Sequence, residues 1–564
     1  MSAHELFEAA CILLAVASAA PLLGAWMARV FEGASPRGIR LLSKIECSVC
    51  VFARIDASKS MSWRQYAAAT LLFNGAGLIL LWLTLILQKH LPFNHANIPG
   101  MDPLVALNAA VSFVTNTNWQ AYAGETDASP GAQMLGFAVQ NFCSAATGLA
   151  VSVAVIRGIR GRATDGLGNF WSDIIRSILF ILLPLSMLFS ILLMNEGVVQ
   201  TLGAPIEATG IDGKHLLIPS GPVASQVAIK QLGSNGGGYF NANSAHPFEN
   251  PTAASNATEL FAMLLIPAAC PFMYGRMIGS KADGRALFSA MAVLLIAGAA
   301  VAVAAESSIN PSLGGISFME GKEMRFGPVM SSLWAVFTTA TSNGSVSAMH
   351  SSLSPLSSLT ALGNMLLGEV AFGGVGSGLY GMLLFAILTV FICGLMAGRT
   401  PELRGRKIEA REVKLAIIAA LLPGMAALLG TALTVGTEAG RATLSAAGPH
   451  GLAEAIYSYA SMSNNNGSAF AGIAASSPMH LLLGAMFMLL GRFAVIVPVL
   501  AIAGGLEEKK IMAAGAGAFT THGFLFITLL VAVILAVGAL TFFPALTLGP
   551  VLEHFLMLRG AVLP

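Results

Sequence analysis

Four stretches decide the fold: LVALNAAVSFVTNTNWQAYAGE at 104–125, VASQVAIKQLGSNGGGYFNANS at 223–244, MSSLWAVFTTATSNGSVSAMHS at 330–351 and GLAEAIYSYASMSNNNGSAFAG at 451–472. Each opens on an amphipathic run of about 12 residues, too short for a hydrocarbon core that needs about 20 helical residues. Each then enters a cluster of Asn, Ser, Thr and Gly. The clusters align as Asn116-Thr117-Asn118, Ser234-Asn235-Gly236, Ser342-Asn343-Gly344 and Asn465-Asn466-Gly467. One such cluster alone reads equally well as a surface turn, because Asn, Ser and Gly favour turns. Four at matching places read as a repeated element.

The sequence between the clusters is apolar. Runs at about 5–28, 66–88, 131–156, 174–195, 255–278, 285–305, 360–397, 412–436, 478–503 and 521–548 are long enough to cross a bilayer. Of the 564 residues, 55% are hydrophobic and 10% charged, against about 25% charged in soluble domains. That excludes a soluble enzyme, a disordered chain and a nucleic-acid binder. Glu5 and Glu8 stand where a cleaved signal would be basic. The expected organisation is a first span and loop (1–65), pore repeats at 66–156, 174–278, 285–397 and 412–503, and a last span at 521–548. Each copy is helix, re-entrant half-helix, polar loop, helix. Each crosses twice, so the copies are parallel, unlike inverted-repeat transporters. The expected fold is an all-α polytopic membrane protein with ten spans, its four polar loops meeting on a pseudo-fourfold axis.

Most Lys and Arg fall on one side of this scheme, in segments 29–65, 157–176, 276–285, 399–414 and 509–510. The other side carries Lys89, Lys214, Lys230, Lys322, Arg325, Arg441 and Arg559. Basic loops stay in the cytoplasm, so both termini are expected outside. Cys47 and Cys50 form a C-x-x-C without a second pair or nearby His. They read as reduced thiols in a short loop.

The clusters suit an ion path. Taking a monovalent cation out of water carries a large desolvation penalty, and rings of backbone carbonyls replace that water in selective pores. Aiming successive carbonyls at one axis takes unusual φ/ψ values, which Gly adopts freely. Half-helices with their carbonyl ends at the cavity also favour a cation. The clusters contain no Asp or Glu, so hard divalent ions are poorly served. A weakly hydrated monovalent cation fits best.

Glu369 lies in the long seventh run and is followed by Gly373, Gly374, Gly376, Gly378 and Gly381. The glycines either break the helix into a gating loop or serve close helix packing. Arg492, in the ninth run, balances Glu369, lines an ion path, or is structural. His246 and Glu249 follow the second cluster and read as structural parts of an outer vestibule. There is no G-x-x-x-x-G-K-[ST] phosphate loop, so the chain is expected to bind no nucleotide and to have no ATPase activity alone.

VSFVTNTNWQAYAGET at 111–126, LGSNGGGYFNANSAHPFENPT at 232–252, GEVAFGGVGSGLYGM at 368–382, GRTPE at 398–402, NNNGSAFAG at 464–472 and GRFAVIVPV at 491–499 resemble the potassium-binding A subunit family of bacterial Kdp potassium pumps. The resemblance runs nearly end to end. It implies a channel-like, non-catalytic subunit related to potassium channels and Trk/Ktr transporters. Such a subunit works in the bacterial inner membrane with a P-type ATPase subunit, a single-span subunit and a small peptide subunit. It contacts lipid and no nucleic acid. K⁺ is the transported ion, taken from outside and passed to the P-type ATPase subunit. By motif match, filter lining falls on Thr117, Asn118, Ser234, Asn235, Gly236, Ser342, Asn343, Gly344, Asn465, Asn466 and Gly467, with Asn116 and Gln120 beside it. Gln120 matches a position tied to potassium affinity. Glu369, Gly373, Gly374 and Gly376 match the gating region, and Arg399 and Arg492 match family-motif positions. A stand-alone potassium channel or Trk/Ktr-type translocating subunit is the alternative.

Overall fold

The computed structural model describes residues 3–33, 40–161, 166–308, 310–313, 319–398, 400–510 and 520–561. Among these, ten helices are long and apolar enough to cross a membrane: His4–Phe31, Trp63–Ile86, Pro130–Arg160, Phe170–Asn195, Ala253–Met277, Lys281–Glu306, Ser377–Met396, Ala410–Gly436, Pro478–Glu508 and Phe524–Leu558. Burial sorts them. In its most apolar stretch the third is 83% buried and the fifth 78%, whereas the first and last are 22%. The third and fifth therefore form the centre of the bundle, and the first and last leave most of their apolar surface uncovered by the rest of the chain.

Between consecutive pairs of spans lie the four half-helices Pro103–Val114, Val223–Leu232, Gly327–Ala340 and Gly448–Asn464. The first starts sharply: Asp102 accepts from the Leu104 and Val105 amides at 2.9 and 3.2 Å, and Pro103 follows as the first helical residue. A hairpin, Ile206–Thr209 paired with His215–Ile218, precedes the second half-helix.

Two sequence expectations change. The seventh span is two helices, Pro355–Leu366 and Ser377–Met396, because the backbone turns left-handed at Gly368, Glu369, Phe372 and Gly376. Cys47 and Cys50 lie on the helix Arg40–Phe52 rather than in a loop. That helix packs through Leu42 and through the Glu46–Arg176 pair at 2.7 Å. Of the lysines on the less basic side, Lys230 and Lys322 are buried against Glu249 and Glu306.

The basic segments also carry structure. Arg157 grips Asp173 through its two terminal guanidinium nitrogens at 2.6 and 2.9 Å, and the Tyr66 hydroxyl donates to the same carboxylate. Buried Arg406 donates to the carbonyls of Ile159 and Gly161, closing the end of the third span.

Candidate ion-binding site

Each half-helix stops in the same way. The residue after its last turn is left-handed: Asn116 (φ 66°), Ser234 (49°), Ser342 (52°) and Asn465 (61°). The next amide folds back to the carbonyl five residues earlier. Thr117 reaches Ser112, Asn235 reaches Lys230, Asn343 reaches Thr338 and Asn466 reaches Ser461, all at 2.9–3.0 Å. This is the Schellman way of ending a helix. Asn tolerates a left-handed backbone, but Ser there is strained. The third cluster residue is left-handed again: Asn118 (53°), Gly236 (77°), Gly344 (90°) and Gly467 (96°). The middle residue is not among the left-handed positions. Alternating handedness cancels the helical turn and gathers N–H groups on one side and carbonyls on the other.

The loops form a closed ring. A Cβ added at Gly236 would overlap the Asn343 carbonyl oxygen, one at Gly344 the Asn466 oxygen, and one at Gly467 the Thr117 oxygen. Against Gly237 lies Asn118, whose Cβ would be 3.0 Å from an added one. Each loop thus abuts the next in the order one, two, three, four, one. Side chains lace the same seams. Asn116 Nδ2 donates to the Ser234 carbonyl at 2.6 Å, Ser342 Oγ to the Asn465 carbonyl at 3.0 Å, and Asn465 Nδ2 to Thr117 Oγ1 at 2.9 Å. Asn343 and Asn466 use one geometry, donating to the Lys230 and Thr338 carbonyls of the preceding half-helix at 3.2 and 3.0 Å. Asn235 departs from it, donating instead to Asn116 Oδ1 and Ser144 Oγ. Gln120 bridges loops one and two through the Gly238 amide and carbonyl.

All four middle residues are buried. Among the described residues, their carbonyls (Thr117, Asn235, Asn343 and Asn466) accept no hydrogen bond. Buried carbonyls without a donor are rare in folded proteins, and here they occupy one position in every loop. The Gly236 carbonyl, at the third position of loop two, accepts from Asn243 Nδ2 at 2.7 Å.

The break in the seventh span sits against this ring. Gly374 lies beside Ser342, and Gly376 (φ 81°) lies against the Gly148 carbonyl of the third span, where a Cβ would overlap it. Glu369, left-handed at φ 53°, accepts from Asn466 Nδ2 at 2.8 Å. A cavity of about 70 Å³ is bordered by Ser342, Asn464, Asn465, Glu369, Gly374 and Arg492, with room for several waters. Arg492 does not balance Glu369. It donates to the Ser144 carbonyl at 3.0 Å, and no ion pair joins the two among the described residues. The left-handed turn at Glu369 carries its carboxylate to Asn466 instead. Gly373 packs inside the break against Glu369 and Gly378. Arg399 lies outside the described residues.

Sequence reading missed two networks. Lys230, Glu249, Asn243, Ser244, Gln231 and Glu259 form a buried polar cluster behind loops two and three. Its one signal in the sequence is Lys230, the single charged residue of the half-helix Val223–Leu232. Behind loop four, His350 Nδ1 meets the Tyr457 hydroxyl at 2.6 Å, Tyr457 meets Ser468 Oγ at 2.9 Å, and Ser468 donates to Asn466 Oδ1 at 2.5 Å. His246 is structural, stacked on Phe240 at 3.9 Å.

Ten spans and a ring of four re-entrant loops define a polytopic membrane protein of the pore-loop potassium-transporter fold. The solved potassium transporter TrkH from Vibrio parahaemolyticus shares that fold, with a TM-score of 0.51 at 14% identity, over 88% of this chain and 98% of its own. The profile described as Potassium-transporting ATPase A subunit matches residues 10–555. Two relatives are each named Potassium-transporting ATPase potassium-binding subunit. That of Rhodospirillum centenum is 51% identical over 100% of this chain and 99% of its own length. That of Pectobacterium atrosepticum is 52% identical over 96% and 97%. The chain belongs to the Potassium-transporting ATPase A subunit family.

Proposed function

We propose that this chain takes up K⁺ in the ring of four loops and delivers it to a P-type ATPase partner that drives uptake. The observation that carries the reading is the set of four buried, donor-free middle carbonyls at Thr117, Asn235, Asn343 and Asn466. Carbonyl dipoles at one level replace the water oxygens of a monovalent cation. Four half-helix C-termini converge on the same place and add their negative ends. The other cluster residues hold this geometry: Asn116, Ser342 and Asn465 stitch neighbouring loops, while Gly344 and Gly467 leave room for the next loop's carbonyl. Gln120 fastens the approach between loops one and two. An ion leaving the ring at Ser342 and Asn465 enters the cavity of Glu369 and Arg492. There a carboxylate favours the cation and a guanidinium opposes it. The 368–376 break is the gating element, with Gly373, Gly374 and Gly376 allowing its close fit.

In this reading the chain is a non-catalytic, inner-membrane subunit with both termini outside. Its partners are the P-type ATPase subunit, the single-span subunit and the small peptide subunit. The test is ATP hydrolysis by the complex purified with its ATPase partner. Half-maximal stimulation at far lower K⁺ than Na⁺ is expected. Hydrolysis indifferent to K⁺, or K⁺ current through the chain alone without ATP, would overturn it, the latter in favour of a channel or Trk/Ktr-type translocator.

A further inference from the structure

The four loops are not fastened alike. Four residues before each cluster's first residue stand Ser112, Lys230, Thr338 and Ser461. Two of the hydroxyls hold the far end of their own loop. Ser112 Oγ donates to the Trp119 carbonyl at 2.9 Å, and Ser461 Oγ accepts from the Gly467 amide at 3.0 Å. Lys230 reaches the same end of loop two by a longer route. Its fully buried Nζ donates to Asn243 Oδ1 at 2.8 Å, to Ser244 Oγ at 2.8 Å and to the Glu249 carboxylate. Asn243 Oδ1 also accepts from the Ser244 amide at 2.8 Å. With its oxygen fixed on the ammonium, the Asn243 amide has one orientation. Its Nδ2 therefore points at the Gly236 carbonyl, 2.7 Å away. The third-position carbonyls of the other loops (Asn118, Gly344 and Gly467) have no comparable donor among the described residues.

The cluster also grips loop three. The Lys230 carbonyl accepts from Asn343 Nδ2 at 3.2 Å, and Gln231 Oε1 accepts from Ser345 Oγ at 3.2 Å. A buried cation beside a cation path would repel the ion, and Glu249 neutralises it. A buried ion pair is poor value as a stabiliser compared with apolar packing. What it supplies here is direction: it fixes which way Asn243 faces.

We propose that Lys230 is a positioning residue for ion selection, orienting Asn243 so that the Gly236 carbonyl is held and the second side of the ring keeps its width. The inference rests on the K⁺-filter reading above. Two variants test it in the complex purified with its ATPase partner. Asn243→Asp keeps the volume and the oxygen facing Lys230 but removes the donor to Gly236. Lys230→Met with Glu249→Gln removes the ammonium together with its ion-pair partner, freeing Asn243 to turn; Glu259 keeps its donors Gln231 and Ser244. The readout is the ratio of half-saturating Na⁺ or Rb⁺ to half-saturating K⁺, from displacement of radioactive rubidium. Removing scaffolding alone lowers the yield of folded complex but leaves this ratio where it was. Loss of one such hydrogen bond should move the ratio about tenfold in both variants. Should the double variant fail to assemble, Asn243→Asp decides alone. Unchanged ratios in the assembled variants overturn the inference while leaving the filter reading intact. A wild-type complex that does not tell K⁺ from Na⁺ sinks the filter reading itself.

Discussion

Replacing Gly236 by Ala is the most direct test of the ring. Gly236 sits at φ 77°, where a Cβ costs about 1–2 kcal/mol. The added methyl would also overlap the carbonyl oxygen of Asn343 and the amide of Ser345. Both are backbone atoms of the neighbouring loop, so no side-chain rotation relieves the clash. The loops must part, and the first atom displaced is one of the four donor-free carbonyls. Restoring the binding geometry when an ion enters then requires at least the strain energy. One to two kcal/mol corresponds to a factor of roughly 5–30. Half-maximal stimulation of ATP hydrolysis should therefore need roughly 5–30 times more K⁺, with weaker discrimination against Na⁺ and Rb⁺. Gly405, in the basic 399–414 segment, looks from the sequence like a tolerant control. It is itself at φ 74°, in a hairpin turn. Gly75 is the better control, because an added Cβ there meets nothing within 4 Å. If Gly236→Ala leaves half-saturation and selectivity as they were while Gly75→Ala behaves as wild type, the carbonyl ring is not the binding site.

Asn466→Leu removes the donor to Glu369 and to the Thr338 carbonyl; it should cost about 1–3 kcal/mol in stability, read as a lower unfolding temperature in detergent. Arg157→Met strands the buried Asp173 carboxylate and should cost about 3–5 kcal/mol, read as lost folded protein in membranes. A cysteine at position 214, on the exposed hairpin turn, should react with an impermeant reagent in intact cells, and one at 405 should not; the reverse pattern would invert the topology.

The repeats were legible because apolar spans and polar clusters differ in composition, and because four copies calibrate one another. The glycines at 236, 344 and 467 pointed to left-handed backbone, which all three adopt. Ser234 and Ser342 gave no such warning; their left-handed turns are imposed by the helix-ending hydrogen bonds at Asn235 and Asn343. Residues far apart in sequence were the harder part. Asn243 meets the Gly236 carbonyl only because a left-handed turn at Asn243 (φ 53°) folds the chain back. The burial of Lys230 was not legible because hydropathy counts residues and not partners, and Glu249 is nineteen positions away. Arg492 and Glu369 do border one cavity, but charge signs alone could not tell that each has a different hydrogen-bond partner.

All four sides of the ring are encoded separately in one polypeptide. In a pore built from identical subunits, one codon change alters every side at once, and a mild defect is multiplied by the symmetry. Here a substitution touches a quarter of the circle. Thr117 already stands where the other loops carry Asn, and Asn118 where they carry Gly. Such a chain can keep three sides constant while the fourth drifts, so the geometry of this circle is open to graded adjustment, one loop at a time.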